Sequence, residues 1–295
     1  MNGQERNTGI ILANILFGTD FSPASEAAFP YALTIADHYQ AKLYIAHVIN
    51  LEPFDLVAPE SSPGMIKKAR EQARRKIDEL VGTRRIEADR FQVIVAEGAV
   101  PELLLDIIQR NKIDMAVLGT RGRRAFKKLL LGSVAEEVFR MASCPVLLIG
   151  PRTAPAPAQA QLRHVLYPVE FAPDSSEAAK YAVSLAEQYG ASLTVMNVRE
   201  DMPSSATKAE QITQPAKRWL EDNVSPGSDL RDRVRWERGF GPAPAAILDF
   251  AARAAVDVIV MSVSRLDPVM ASRLPKFGTT YEVVSRASCP VLTVR

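Results

Sequence analysis

The sequence has little of several features that mark specialised classes of protein. Its 295 residues include only two cysteines, too few for a disulfide framework. Aromatic residues make up 7% of the chain, which is poor material for a surface that stacks nucleic-acid bases. Lys and Arg total 36 against 34 for Asp and Glu, so no net field draws the chain to nucleic acid or to an anionic membrane. We therefore expect neither as a partner.

Long apolar segments are also lacking. The longest apolar run near the start of the chain, Ile10–Phe17, is far shorter than the ~18 residues of a membrane span. The polar stretch Met1–Gly9 has neither the basic nor the apolar region of a secretory signal. We expect a cytoplasmic protein whose thiols are reduced.

The sequence contains an internal repeat that covers most of its length. When the sequence is shifted by 150 positions, Ile15–Pro23 falls on Val165–Pro173 with a matching pattern of residue types. With a shift of 145, Ala142–Leu147 falls on the identical stretch Ala287–Leu292. Such self-similarity, in a chain longer than the ~250 residues at which single cores stop growing, indicates two similar domains.

A Pro/Ala stretch separates the two copies. It has no apolar periodicity and is typical of an extended, semi-rigid linker. The sequence therefore predicts one domain over residues 1–150, a linker over 151–162 and a second domain over 163–295.

Short apolar runs alternate with segments of helical period in the first copy. The predicted strands are Asn14–Thr19, Leu43–Ile49, Phe91–Ala96, Met115–Leu118 and Val146–Ile149. The predicted helices are Pro23–Tyr39, Pro63–Val81, Pro101–Arg110 and Ser133–Met141. Strands that are apolar on successive residues are typical of a parallel sheet covered by helices on both faces. The pattern predicts an α/β fold in which each copy forms a five-stranded, doubly wound parallel sheet.

Ligands of such sheets bind beyond the carboxyl ends of the strands, where the strand order reverses. Two glycine-containing loops lie at these ends. The segment Gly18–Ser22 follows the first strand, and Gly119 and Gly122 follow the fourth. After nine intervening residues, Gly132 and Ser133 open a helix.

The residue types in these loops suit a phosphate chain. Glycines let main-chain N–H groups approach an anion, and the helix start at Ser133 offers unpaired donors and the positive end of a dipole. Asp20 can accept hydrogen bonds from ribose hydroxyls. The loop between Gly119 and Gly132, which contains a nine-residue insert after Gly122, adds cations that would offset a triphosphate if they point inward, namely Arg121, Arg123, Arg124, Lys127 and Lys128. Alternatively, the glycines are ordinary turn residues and the insert is a solvated loop.

The spacing of Gly119, Gly122, Gly132 and Ser133 resembles the ATP-binding signature Gly-x2-Gly-x9-Gly-(Ser/Thr) of the universal stress protein family. The resemblance extends to Asp20, to the Ala-His-Val end of the second strand and to the Cys-Pro-Val-Leu start of the fifth. It covers nearly the whole chain, once per copy, and is that of a tandem universal stress protein.

This resemblance implies two Rossmann-like domains, of the adenine nucleotide alpha hydrolase type, that bind ATP. Mg²⁺ is the chemical expectation for bound ATP. Carried over by position, the residues that would hold the nucleoside are Thr19, Asp20 and Val48. Those that would hold the phosphates are Gly119, Arg121, Gly122, Gly132, Ser133 and Val134. The implied role is nucleotide-dependent stress response and signalling with little or slow hydrolysis, and no residue is predicted to be catalytic.

Two other functions stay open: a slow ATP hydrolase, and an interaction scaffold that needs no nucleotide. The family pairs through its last strand, which in a tandem chain implies an intramolecular pseudo-dimer of the two domains. A homodimer of whole chains is a further option, and the sequence does not identify the protein partners.

The second copy departs from the binding pattern. Ser262 and Arg265 replace the first two glycines, Glu170 replaces Asp20, and Gly278-Thr279 survives near a helix start. We expect a degenerate site there and ATP in the first domain only. Alternatively, Glu170, Arg265 and Thr279 hold a nucleotide in another pose.

The sequence predicts no dedicated metal site. Cys144 and Cys289 occupy equivalent positions of the two copies instead of clustering. We expect each to pack as a small hydrophobic residue just before a strand.

Overall fold

The chain forms two compact units, one consisting mainly of Ile11–Pro151 and the other mainly of Gln161–Arg295. The computed structural model describes residues 9–51, 62–82, 89–120, 131–153, 162–169, 176–200, 210–263 and 278–295.

Strands and helices alternate along the first unit. Its strands are β1 (Asn14–Gly18), β2 (Lys42–Ile49), β3 (Phe91–Glu97), β4 (Met115–Gly119) and β5 (Val146–Ile149). Its helices are α1 (Pro23–Tyr39), α2 (Ser62–Gly82), α3 (Val100–Arg110) and α4 (Ser133–Met141). The predicted bounds differ from these by at most one residue at each end.

The second unit repeats the alternation. Its strands are β6 (His164–Pro168), β7 (Ser192–Arg199), β8 (Val234–Phe240), β9 (Val258–Ser262) and β10 (Val291–Val294). Its helices are α5 (Ser176–Gln188), α6 (Glu210–Asn223), α7 (Ala243–Arg253) and α8 (Thr279–Arg286), with a 3-10 turn at Asp229–Arg233.

The strand order within the first unit is β3-β2-β1-β4-β5, and within the second it is β8-β7-β6-β9-β10. The pairs β1–β2, β1–β4, β2–β3 and β4–β5 are parallel, as are β6–β7, β6–β9, β7–β8 and β9–β10. The chain winds outward from the first strand of each unit in one direction and then returns to its other side. The predicted fold class, two Rossmann-like α/β domains, is confirmed.

Helices cover both faces of the first sheet because the crossovers are right-handed. Helix α1 packs on β1 and β4 and α2 on β2 and β3, whereas α3 and α4 contact each other on the opposite face. Residues Ile15–Phe17 in the central strand β1 are 0% exposed. This burial on both faces explains why the strands read as continuous apolar runs.

Charged residues at equivalent positions form the same hydrogen bonds to the main chain in both units. Asp114 accepts hydrogen bonds from two consecutive main-chain N–H groups at the start of β1, both at 2.8 Å. Asp257 does so at the start of β6, at 2.8 and 2.9 Å. Arg90 donates to a carbonyl in the last turn of α1, and Arg233 donates to one in the last turn of α5. Part of the repeated pattern is therefore structural.

No helix in the described part of the chain is long and apolar enough to cross a membrane.

Candidate functional site

The carboxyl ends of β1 and β4 lie side by side in the first unit. Gly18 pairs with Leu118, and β2 lies on the other side of β1, where Gly18 pairs with Ala46. Because β1 leads to β2 and later receives β4, this edge is the point at which the strand order reverses. The structure thus brings the loops after the first and fourth strands together at the place where doubly wound sheets bind ligands.

Thr19 holds the turn that follows β1. Its N–H donates to Ala46 O at 2.9 Å, and its Oγ1 accepts from Phe21 N at 3.0 Å and lies 3.1 Å from Ser25 Oγ. The residue is buried, and its carbonyl oxygen lies 2.8 Å from His47 Nδ1. All three polar groups of Thr19 therefore have partners within the protein.

Asp20 sits at the tip of the same turn and is partly exposed. Its Oδ1 accepts from Ser22 N at 3.0 Å. Ser22 in turn caps α1, because its Oγ accepts from Ser25 N at 3.2 Å. The carboxylate is thus held in a defined direction at the rim of the switch point.

Val48 and His47 lie near the carboxyl end of β2. Val48 is buried and pairs with Ala96 of β3. His47 is partly buried and approaches the turn after β1 through its Nδ1 atom. Both residues therefore adjoin the edge that carries Asp20.

Gly119, the last residue of β4, is required by the packing of α1. A Cβ atom there would lie 2.6 Å from the carbonyl carbon and oxygen of Ala24 and 2.7 Å from Ser25 N, far inside van der Waals contact. The steric reason for this glycine is a close approach between a helix and a strand. That it also lines a phosphate site stays a prediction.

Thr120 carries the most informative side chain of the site. Its N–H donates to Ile149 O at 2.9 Å, and its carbonyl accepts from Gly132 N at 2.7 Å. The residue is 1% exposed, and its Oγ1 atom has no hydrogen-bond partner among the described residues. A buried hydroxyl left unpaired costs about 1–3 kcal/mol. Buried polar atoms usually have a partner, which is a protein atom, an ordered water or a ligand.

Gly132 joins Thr120 to the N-terminus of α4. It occupies the N-cap position with φ −64° and ψ 141° and has no side chain with which to cap the helix. Ser133 is exposed and Val134 is half-buried. The first intrahelical bond at this end runs from Glu136 N to Gly132 O at 2.9 Å. The amides of the first turn are therefore available to an external acceptor.

The only charged side chain in that first turn has its own partner. Glu136 forms an ion pair with Arg140, 3.4 Å apart. Its charge is thus offset locally, and the positive end of the helix dipole keeps its attraction for an anion.

Several predicted residues lie outside the described part of the chain. Among them are Arg121 and Gly122 of the proposed phosphate site, the remaining cations of the nine-residue insert, and Glu170 and Arg265 of the second copy. The described residues that meet at the candidate site are Thr19, Asp20, Val48, Gly119, Gly132, Ser133 and Val134.

The second unit has the same main chain at this point but fewer polar side chains. Val169 donates its N–H to Met196 O at 2.8 Å, as Thr19 does to Ala46 O. Val263 donates to Val294 O at 2.7 Å, as Thr120 does to Ile149 O. Valine therefore replaces both threonines, and the buried hydroxyl is gone.

Helix α8 still begins after a glycine without a capping side chain, Gly278. Ser262, at the end of β9, is half-buried. The difference between the two units at this edge therefore lies mainly in side chains and less in the helix end.

The two cysteines are free and buried, as expected for packing residues. Burial raises the pKa of the Cys144 thiol from 9.0 to about 12, with the charge of Asp114 acting in the same direction. Burial likewise raises the pKa of Cys289 to about 12, and Asp257 adds to the effect. Among the described residues, no group of three or more His, Cys, Asp or Glu side chains is arranged to hold a metal ion.

Sequence reasoning missed Thr120 because it occupies a variable position of the glycine pattern. The signal that could have found it is the comparison between copies. When the two copies are aligned at an offset of 143, Thr120 corresponds to Val263, a residue of nearly the same shape. The exchange removes a hydroxyl at a position whose main-chain hydrogen bond is the same in both copies, and this difference singles out the hydroxyl of Thr120.

Comparison with known proteins agrees with the repeated fold. A universal stress protein of Methanocaldococcus jannaschii is 28% identical over 153 residues, which is 50% of this chain and 88% of the relative. One from Mycobacterium bovis is 26% identical over 219 residues, 68% of this chain and 66% of the relative. The solved structure of a universal stress protein from Archaeoglobus fulgidus has a TM-score of 0.74 at 20% identity, covers 98% of both chains and shows the likeness in fold.

The family model described as Universal stress protein family matches the chain twice, over residues 12–150 and 161–295. The chain belongs to the universal stress protein family and carries two of its domains in tandem.

Proposed function

We propose that the first domain binds ATP at the edge formed by β1, β4 and the N-terminus of α4. The observation that carries this proposal is the buried, unpaired hydroxyl of Thr120. It lies between the end of β4 and the uncapped start of α4, and a ligand oxygen that reached this buried atom would supply its missing partner.

The start of α4 would hold the phosphates. Its first-turn amides have no intrahelical acceptors, and the dipole favours negative charge. Gly132 positions this turn through its bond to Thr120 O. Ser133 is exposed and adds a hydroxyl that can reach an anion. Arg121 and Gly122 belong to the proposal through the family signature, and Mg²⁺ would accompany the triphosphate.

The turn after β1 would hold the nucleoside. Asp20 is partly exposed and fixed by Ser22 N, so it can accept hydrogen bonds from ribose hydroxyls. Val48 contributes an apolar surface next to it. Thr19 would act by holding the turn, since its polar groups are used within the protein.

The second domain is proposed to leave this nucleotide unbound. Val263 replaces Thr120, so a ligand oxygen there would lose its partner, and Val169 replaces Thr19, whose hydroxyl accepts from Phe21 N in the first domain. We therefore expect one ATP per chain, although the chain contains two domains. The proposed boundaries are 1–150 and 163–295, joined by the linker 151–162.

The output of the site is proposed to be binding. ATP bound in the first domain would change a surface to which protein partners bind. The two tandem domains would form, within one chain, a pseudo-dimer that corresponds to the paired domains of the family. Linking two domains in this way gives them a high effective concentration for each other.

Isothermal titration calorimetry of the full chain with ATP and Mg²⁺ tests the proposal. We expect binding with a stoichiometry near one, weaker binding of adenosine, and weaker binding of cAMP because it has one phosphate where ATP has three. A stoichiometry near two would contradict the assignment to one domain. An absence of both heat and thermal shift at millimolar ATP would favour the nucleotide-independent scaffold.

A single additional assay addresses hydrolysis. Phosphate release well above the uncatalysed rate, lost in Asp20→Ala or Ser133→Ala, would favour the slow hydrolase. Release at the background rate with tight ATP binding supports a binding module.

A further inference from the structure

A stack of three side chains lies beside the turn that follows β1. The Phe21 ring packs on the His47 imidazole, with centroids 4.5 Å apart and planes inclined by 36°. Lys76 Nζ, from α2, lies 5.1 Å from the centroid of the Phe21 ring, within the range of a cation–π contact. The stack joins the turn to β2 and α2 at the proposed nucleoside end of the site.

The main chain at Phe21 is in an unusual conformation. Its φ is +58°, in the left-handed region that bulky residues rarely occupy. Such a conformation persists only where the surrounding structure enforces it, and it is common at ligand-binding turns. Here Phe21 N donates to Thr19 Oγ1 at 3.0 Å, and the ring is held by His47. The same turn carries Asp20, so what fixes Phe21 also fixes the direction of that carboxylate.

His47 has a second hold on the turn. Its Nδ1 lies 2.8 Å from Thr19 O, and because a carbonyl can only accept, Nδ1 must carry the proton. In the second domain, Asn197 takes the equivalent position and donates through Nδ2 to Val169 O at 3.0 Å. An asparagine is therefore sufficient for the hydrogen bond. Histidine adds an aromatic ring, which packs against Phe21 in the first domain.

We propose that His47 is a positioning residue of the nucleotide site, which holds the Thr19–Ser22 turn, and with it Asp20, in the conformation that receives the nucleoside. This inference rests on the proposed function. The hydrogen bond to Thr19 O does not require an aromatic ring, and the proposal gives the ring of His47 the role of holding Phe21.

The variant His47→Asn separates the two contacts, because it installs the residue that the second domain already uses. It keeps a donor for Thr19 O and removes the ring. We expect ATP affinity to fall about three- to tenfold, the worth of an aromatic pair, while far-UV circular dichroism stays unchanged. Phe21→Leu removes the other half of the pair and is expected to have a similar effect.

A double-mutant cycle then distinguishes this role from general loosening. If the two rings act through each other, His47→Asn combined with Phe21→Leu should lose no more affinity than the worse single variant. Losses that add up would overturn the proposal. The control Asn197→His places the same residue in the second domain and should leave both affinity and stoichiometry unchanged.

Nitrogen-15 NMR of the unaltered protein measures the ring resonances of His47 directly, and these would not respond to ATP if the role of His47 were only structural. Neutral His47 should show the Nδ1–H tautomer, and ATP should shift its ring resonances while those of His164 in the second domain stay in place. If the ring resonances of His47 do not shift when ATP is added, the inference is contradicted. Because this measurement uses the unaltered protein, it tests the inference even if a variant fails to fold. If the unaltered protein binds no ATP, the proposed function itself fails, and this inference fails with it; if it binds but His47→Asn binds equally well, only this inference fails.

Discussion

Replacing Thr120 by valine should make the ligand-free protein more stable and the nucleotide complex weaker. The side chain is 1% exposed, and its hydroxyl is unpaired among the described residues. An unsatisfied buried hydroxyl costs about 1–3 kcal/mol, and valine has nearly the same shape without that cost. The free energy of unfolding of the first domain should therefore rise by ~1 kcal/mol, which corresponds to about 2–4 °C in Tm for a domain of this size.

The same substitution should weaken ATP binding about tenfold, since a hydrogen bond to a ligand oxygen is worth ~1 kcal/mol or more. Calorimetry measures the affinity. Urea unfolding measures the stability and should be followed by circular dichroism, because both tryptophans of the chain, Trp219 and Trp236, lie in the second domain. Thr120→Ser, which keeps the hydroxyl, should retain most of the affinity.

A matched change in the second domain completes the test. Val263→Thr introduces a hydroxyl at the equivalent position, which is only half-buried, and should destabilise that domain by no more than about 1 kcal/mol without creating a second ATP site. The reasoning is refuted if Thr120→Val destabilises the ligand-free protein, or if it binds ATP as tightly as the unaltered chain.

Four further predictions concern packing and charge. Gly119→Ala should destabilise the first domain by about 1–3 kcal/mol, because a Cβ there would lie 2.6 Å from the backbone of α1. Gly64→Ala is the control: a Cβ there would meet nothing within 4 Å, and the change should stabilise α2 by about 0.5–1 kcal/mol in the same urea assay. Asp114→Ala should cost about 2 kcal/mol or more in the free energy of unfolding, because two main-chain N–H groups lose a charged acceptor. Cys144 and Cys289, with pKa raised from 9.0 to about 12, should react with a disulfide reagent at pH 8 about a thousandfold more slowly than an ordinary thiol. The stability that these thiols contribute should be complete below pH 9 and should be lost as the pH rises towards 12, because unfolded thiols then release protons that the folded ones retain.

The strands and helices of the first domain could be predicted closely because each depends on a local pattern. Ile15–Phe17 is apolar on successive residues and is buried on both faces. Helix α1 begins with a serine cap and a proline, a combination that marks a helix start in any sequence. The class of the sheet, parallel and doubly wound, followed from the alternation of these elements and the handedness of their crossovers, whereas the order of the strands came from the structure.

The reasons for particular site residues were less accessible, because they depend on contacts far apart in sequence. Gly119 suggested an anion site, but its missing Cβ makes room for Ala24 of α1, nearly a hundred positions away. The bond between His47 and Thr19 spans 28 positions. Neither can be read from spacing alone.

Thr120 shows what the sequence could have revealed. Its burial and its unpaired hydroxyl emerge only when β4, β5 and α4 are packed together. Its difference from Val263, however, is visible in the repeated sequence. Comparing the copies position by position, including positions between signature residues, would have singled it out.

A crystal structure of the full chain grown with millimolar ATP and Mg²⁺ tests the central claim most directly. We predict nucleotide density in the first domain, with phosphate oxygens within about 3 Å of Thr120 Oγ1 or of the first-turn amides of α4, and none at the equivalent edge of the second domain. An empty first domain, or a nucleotide held at Val263 and α8, would contradict the account.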